Sequence, residues 1–161
     1  MPRDTDFLEL LNLVSYDPFV VVDSGRRIIH FNDPFVLMLG LRTTQRRRVE
    51  GTVFNELLRL DETGQACITD CLSQDRNVRV QSVDGRVSGG RQLVLDMSAL
   101  PLRNETGQVT GVLILHRDVT DEQRLKERYN EEKKAHLAER ESLLRIISDR
   151  DAELKRMKRH S

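Results

Sequence analysis

The stretch Asn104-Glu105-Thr106-Gly107-Gln108-Val109-Thr110-Gly111-Val112-Leu113-Ile114-Leu115-His116-Arg117-Asp118-Val119-Thr120 decides the fold. Asn104-Glu105-Thr106-Gly107 is turn chemistry between two long extended runs, residues 91–102 and 109–119. In the second run, Val112 and Ile114 point one way while Leu113 and Leu115 point the other. A strand that is apolar on both faces is covered on both faces. From Thr120 to Lys158 there is neither proline nor glycine, so the strand hands over directly to a long helix.

Working back from that stretch, residues 77–83 alternate as a third strand and reach a turn signal at Asp84-Gly85. Helical pieces precede it at 53–60 and 62–73. Residues 42–50 read as a polar loop holding Arg46, Arg47 and Arg48. Asn32-Asp33-Pro34 is a helix start, with a side-chain cap followed by proline inside the first turn, and Gly40 is its stop. Phe19-Val20-Val21-Val22 and residues 27–31 form a hairpin around Asp23-Ser24-Gly25. At the N-terminus, Asp4 or Thr5 caps a short helix carrying Phe7, Leu8, Leu10, Leu11 and Val14. Strands joined by hairpin-length turns, with helices between them, predict an α+β domain built on an antiparallel sheet with helices on one face.

The chain has 161 residues, enough for one domain and an appendage. Its 26 basic and 26 acidic groups balance, unlike a uniformly basic nucleic-acid binder. Residues 120–161 carry 22 charged side chains among 42, too many for a packed globule. The 12 basic residues there face 10 acidic ones, which excludes a phosphate-neutralising zipper. No apolar run approaches the roughly 20 residues of a membrane span. With two cysteines and no signal peptide, the expected compartment is the cytoplasm.

Several words of the sequence, taken in order, resemble the PAS family. They are Asp23-Ser24-Gly25-Arg26-Arg27-Ile28 with Asn32, Glu50-Gly51 before Phe54, Leu100-Pro101-Leu102-Arg103 leading into Asn104–Gly107, then Gly111, and finally Asp118-Val119-Thr120. The last resembles the Asp-x-Thr signature at which PAS domains pass into a helix. The resemblance covers about residues 5–120 and divides the chain into a cap helix (1–16), a PAS domain (17–119) and a C-terminal coiled-coil helix (120–161). It implies a five-stranded sheet cupping a small cavity, dimerisation, and transmission to an effector, and the PAS-to-helix arrangement points to a bacterial source. On the family pattern Val112, Ile114 and His116 face the cavity together with Leu95, Met97, Phe54, Ile68 and Cys67. Asp118 and Thr120 make the handover. Leu113 and Leu115 meet the N-terminal helix of the same chain or of a partner, and with Phe7 and Leu11 they mark a dimer interface.

His116 is the residue of most interest. It sits where flavin-binding light-sensing relatives place a polar side chain on the cofactor. Two readings stand: a ligand or metal contact, or a core histidine satisfied by a neighbouring carbonyl, with the second preferred. His30 reads as a partly exposed sheet residue. Cys67 and Cys71 share a helix face and could join His116 at a metal, but no fourth ligand accompanies them and they read as small buried hydrophobes. Arg46, Arg47 and Arg48 could meet a phosphate, but three like charges more often form a solvated loop.

Neither haem nor flavin is supported. The stretch Gly51-Thr52-Val53-Phe54-Asn55 lacks a reactive cysteine, and residues 62–73 contain no histidine. With no tryptophan, five phenylalanines and two tyrosines, little is available to stack on a flavin. There is no Gly-rich phosphate loop, phosphoacceptor box, Gly-Gly-Asp cyclase signature or nucleophile–base set, so no enzyme activity is expected.

The C-terminal helix needs a partner. One heptad seam takes Tyr129, His136, Leu143, Ile147, Leu154 and Met157 with Lys126, Lys133, Arg140 and Arg150. A second takes Leu137, Leu144, Ile147 and Leu154 with Asn130 and Asp151. The expectation is a homodimer joined by a parallel coiled coil that transmits to an effector protein, with two competing registers as a route for the signal. The alternatives are a ligand-free scaffold or localisation adaptor, or a regulatory fragment of a histidine kinase or diguanylate cyclase.

Overall fold

The computed structural model describes residues 8–12 and 15–160. Asp4, Thr5, Phe7 and Val14, which the sequence places on the N-terminal helix, lie outside them. Residues 8–12 are helical, followed by strands β1 (Phe19–Asp23) and β2 (Ile28–Phe31) and helix α1 (Asp33–Met38). A 3-10 turn (Thr43–Arg48) leads to α2 (Phe54–Leu57), β3 (Leu58–Leu60) and α3 (Glu62–Gln74). Three long strands follow, β4 (Val78–Val87), β5 (Gln92–Arg103) and β6 (Val109–Asp118), and then α4 (Thr120–Arg159). Two compact units result, residues 1–120 and 121–161.

The antiparallel α+β architecture is as expected, but the sheet has six strands in the order β2-β1-β6-β5-β4-β3. The sixth is β3, which the sequence offers as the end of a helix. The Leu58 N–H still bonds to the Phe54 carbonyl, but Leu58 and Leu60 turn inward, and β3 pairs along β4. Asp84-Gly85 is likewise not a turn. Both residues lie inside β4, opposite Val94 and Leu93, and the chain reverses at residues 88–91, where Gly90 takes φ +94°. A side chain at 85 would meet Leu58 at 3.3 Å and Leu60 and Leu95 at 3.5 Å, close but mostly ordinary contacts. The strand continues past an irregularity between Val80 and Val83, where Ser82 has φ +55° and its N–H donates to the Asp96 carboxylate at 3.0 Å. The arginine loop is ordered as the 3-10 turn, with Arg46 paired to Asp33 and stacked over the Phe31 ring at 4.6 Å.

One face of the sheet carries the main core. Val20, Val22, Leu95, Met97, Ala99, Val112 and Ile114 meet Phe35, Phe54, Cys67, Ile68 and Cys71 from α1 to α3. The opposite face holds a smaller cluster of Phe19, Val21 and Leu113, against which Leu8, Leu11, Leu100, Leu102 and Leu115 pack. The doubly apolar pattern of β6 thus has its cause: core on one side, the chain's own N-terminal helix on the other.

At Gly111 there is no room for a side chain between β6 and β1. The residue pairs with Asp23, and a Cβ placed there would lie 2.5 Å from the Val22 carbonyl oxygen. Backbone cannot yield as a flexible side chain does. Gly111→Ala is expected to lower unfolding free energy by about 2–3 kcal/mol, read from the urea midpoint.

Candidate functional site

The site begins with Asn32. Its side-chain oxygen accepts the Phe35 N–H at 3.1 Å, fixing the first turn of α1, and so sets Phe35 into the core. Phe54 is set by its own N–H, which donates to the Arg26 carbonyl at 2.9 Å. Between these two helices lies His116 of β6. Its ring centroid is 5.7 Å from Phe35 and 6.1 Å from Phe54, and the two phenylalanines are themselves 6.4 Å apart. In the sheet it stands opposite Met97.

His116 is 1 % exposed, and neither Nδ1 nor Nε2 has a hydrogen-bond partner. The expectation of a histidine satisfied by a carbonyl is therefore corrected. The Pro18 carbonyl accepts the His116 backbone N–H at 2.8 Å, while the ring lies against aryl faces that offer no conventional acceptor. Burial pushes the imidazole down to about 4, with the Pro18 carbonyl acting in the opposite direction. The ring is thus neutral near pH 7, with an unused donor and an unused acceptor inside the domain. A small polar ligand could engage both.

The remaining cavity residues read from the sequence share that core: Leu95, Phe54 and Ile68 are fully buried, and Met97 and Cys67 nearly so. The Cys67 thiol donates to the Val78 carbonyl at 3.8 Å. Burial raises both thiols, Cys71 to about 11, which keeps them protonated and unreactive. His30 lies on the other face, stacked on Phe19 with centroids 6.0 Å apart.

The handover is built from hydrogen bonds to β5. Val119 N–H donates to the Val94 carbonyl at 2.9 Å, and Thr120 Oγ1 accepts the Val94 N–H at 3.0 Å. Asp118 Oδ1 accepts both the Thr120 N–H at 3.0 Å and its hydroxyl. Thr120 is the first residue of α4, and the Asp118 carboxylate caps its N–H. The Arg91 guanidinium stands 3.9 Å from Asp118 Oδ2 and donates to the Met38 carbonyl at 3.0 Å. That link went unread in the sequence, as did the contacts of the Arg26 guanidinium with Gln65 and Thr69 on α3. Both join residues far apart in the chain, and no local pattern marks them.

Of the residues assigned to a dimer interface, Leu11 and Leu113 pack within one chain and Leu113 is buried there, while Leu115 is half-buried beside them. Phe7 is outside the described residues. Tyr129, Leu143, Ile147 and Leu154 lie exposed along α4.

An antiparallel sheet with helices over one face, whose last strand becomes a long helix, is the architecture of a known family of small domains. The sequence profile of the PAS domain family matches residues 17–121. The chain belongs to the PAS domain family. Among solved structures it is similar to the PAS domain of nitrogen regulation protein NR(II) from Vibrio parahaemolyticus, at 20 % identity and TM-score 0.55, covering 69 % of this chain and 95 % of that one. It is similar also to a PAS domain from Colwellia psychrerythraea, at 18 % identity and TM-score 0.58, over 73 % and 98 % of the two chains. The PAS domain of the fruit-fly ELK potassium channel matches at 21 % identity and TM-score 0.57, over 72 % and 97 %. At such identities these likenesses speak for the fold alone. No curated protein sequence matches the chain. Among the described residues, no helix is long and apolar enough to cross a membrane.

Proposed function

We propose that this chain is a cytoplasmic, non-catalytic signalling module. It dimerises, senses a ligand or partner through its PAS core, and passes the change through a coiled coil to an effector protein. The observation that carries this reading is His116. An unpartnered, fully buried imidazole stands on the strand that runs, four residues later, into α4. A molecule that engaged either ring nitrogen would pull on β6 directly, and β6 is tied to β5 and α4 through Asp118, Val119 and Thr120. Haem and flavin play no part in the proposed cycle.

A second reading is a ligand-free scaffold or adaptor. It is favoured by the two phenylalanine rings packed beside His116, which already occupy part of the space a ligand needs. Native mass spectrometry of the purified chain separates the two. A dimer carrying added mass that is lost on denaturation, and lost again in His116→Leu, is the expected result. A dimer with no adduct from any source tested would favour the scaffold, and a monomer at every concentration would overturn both.

A further inference from the structure

Among the described residues, three other than glycine take a positive φ: Arg26 (+62°), Asp75 (+50°) and Ser82 (+55°). Aspartate tolerates that conformation by bonding locally, but a long side chain adopts it against its preference. At Arg26 the β1–β2 turn imposes it. The Asp23 carbonyl accepts the Arg26 N–H at 2.9 Å, and the Asp23 N–H donates to the Arg27 carbonyl at 2.9 Å. The Asp23 carboxylate accepts the N–H groups of Gly25 at 2.9 Å and Arg27 at 2.8 Å. A turn closed in this way leads into a left-handed residue, a position that glycine ordinarily fills. Here glycine stands one place earlier, at 25, where it takes no positive φ. Backbone strain of this kind points to a task for the side chain that bears it.

The Arg26 guanidinium reaches α3, donating to Gln65 Oε1 at 2.5 Å and to Thr69 Oγ1 at 2.6 Å. Gln65 Nε2 in turn donates to Asn55 Oδ1 on α2 at 3.1 Å. The Arg26 carbonyl accepts the Phe54 N–H, and Arg27 bridges to Val53, so backbone holds α2 to the hairpin. Side chains fasten α3 to both. The seam they close lies over the core in which Phe54 stacks on His116 and Ile68 packs from α3. Arg46 and Arg103 end on the carboxylates of Asp33 and Asp75. Arg26 instead ends on two neutral acceptors, which bring no opposite charge to hold it. Strain in the backbone and neutral partners at the tip both favour release.

We infer that Arg26 is the latch of a gate between α2 and α3, through which a small molecule reaches His116. On release, residue 26 relaxes from its left-handed conformation, the guanidinium leaves Gln65 and Thr69, and the seam opens above the imidazole. The gate rests on the reading of His116 as the sensing group, but its opening is measured without any ligand, so the two can fail separately.

The probe is diethyl pyrocarbonate, which acylates neutral imidazoles, with the initial rate at each histidine of the full chain read by peptide mass mapping. Arg26→Gly and Arg26→Asn both accept the left-handed backbone, and neither reaches α3. Relative to the exposed His160 of the same chain, His116 should react about tenfold faster in each variant than in wild type, the loss of roughly one net hydrogen bond from a charged group. The urea midpoint should stay at or above that of wild type, since relief of strain offsets the lost bonds. An unchanged His116 rate in both variants would overturn the gate. A rise in Arg26→Gly alone would assign the effect to a loosened turn. A rise matched by a fall in the midpoint would make Arg26 an ordinary part of global stability. Either of these also overturns the latch.

Discussion

Wild-type stability is expected to fall by about 3 kcal/mol as pH drops from near 6.5 to near 4 through His116 alone, and His116→Leu is expected to remove that fall. In the unfolded chain an imidazole takes up its proton near 6.5. In the folded domain burial holds His116 neutral until about 4. Between those values the unfolded state binds the extra proton, so acidification draws the equilibrium toward unfolding. Above the upper value both states are neutral, and the contribution is flat. His30, which burial also lowers, adds its own slope. The quantity to measure is therefore the difference between wild type and variant in urea titrations at several pH values. Leucine has a similar volume and leaves no buried nitrogen unsatisfied, so at pH 7 the variant should be at least as stable as the wild type. A difference that stays constant from pH 7 to 4 would show that the ring is solvated or hydrogen-bonded in solution, and would remove the physical basis of the sensing proposal.

The inward side of His116 is legible in the sequence because strand periodicity is strictly two. Once Val112 and Ile114 face the core, His116 must follow. Its lack of a partner is not legible, because that depends on Phe35 and Phe54 arriving from helices some sixty to eighty residues earlier in the chain. The start of α1 was readable for the opposite reason: Asn32-Asp33-Pro34 carries its cap and its first turn within three residues. Asp84-Gly85 misled because a glycine inside a strand resembles a glycine required by a turn. Only its pairing with β3 on one side and β5 on the other tells them apart. The single glycine step that does make the reversal, at Gly90, sits a few residues beyond in a stretch with no hydrophobic pattern. Strand β3 was hidden by its length, since three residues with one exposed arginine cannot establish a period. In α4 both seams are visible from the sequence, because heptad spacing is a local pattern that needs no contact with the rest of the chain.

Asn32→Leu is expected to destabilise the domain by about 3–5 kcal/mol, which can be half of a small domain's total stability. A capping residue on an exposed helix is worth about 1 kcal/mol. Asn32 does more, because it is 2 % exposed and serves three backbone groups at once. Its oxygen accepts the Phe35 N–H at the start of α1 and the Phe19 N–H at 2.9 Å at the start of β1. Its amide nitrogen donates to the Asp17 carbonyl at 2.8 Å. Leucine fills a similar volume but strands two donors and an acceptor where water has poor access, and each carries a desolvation penalty. Asn32→Asp separates the parts of this role. A carboxylate keeps both acceptor bonds but faces the Asp17 carbonyl with no proton to offer, so an intermediate loss of about 1–2 kcal/mol is expected at pH 7. Protonation at low pH would restore a donor, and the gap to wild type should narrow there. Thermal and urea unfolding of both variants decides the matter. If Asn32→Leu unfolds within 1 kcal/mol of wild type, the side chain is a helix cap and nothing more, and the positioning of Phe35 against His116 must come from packing alone.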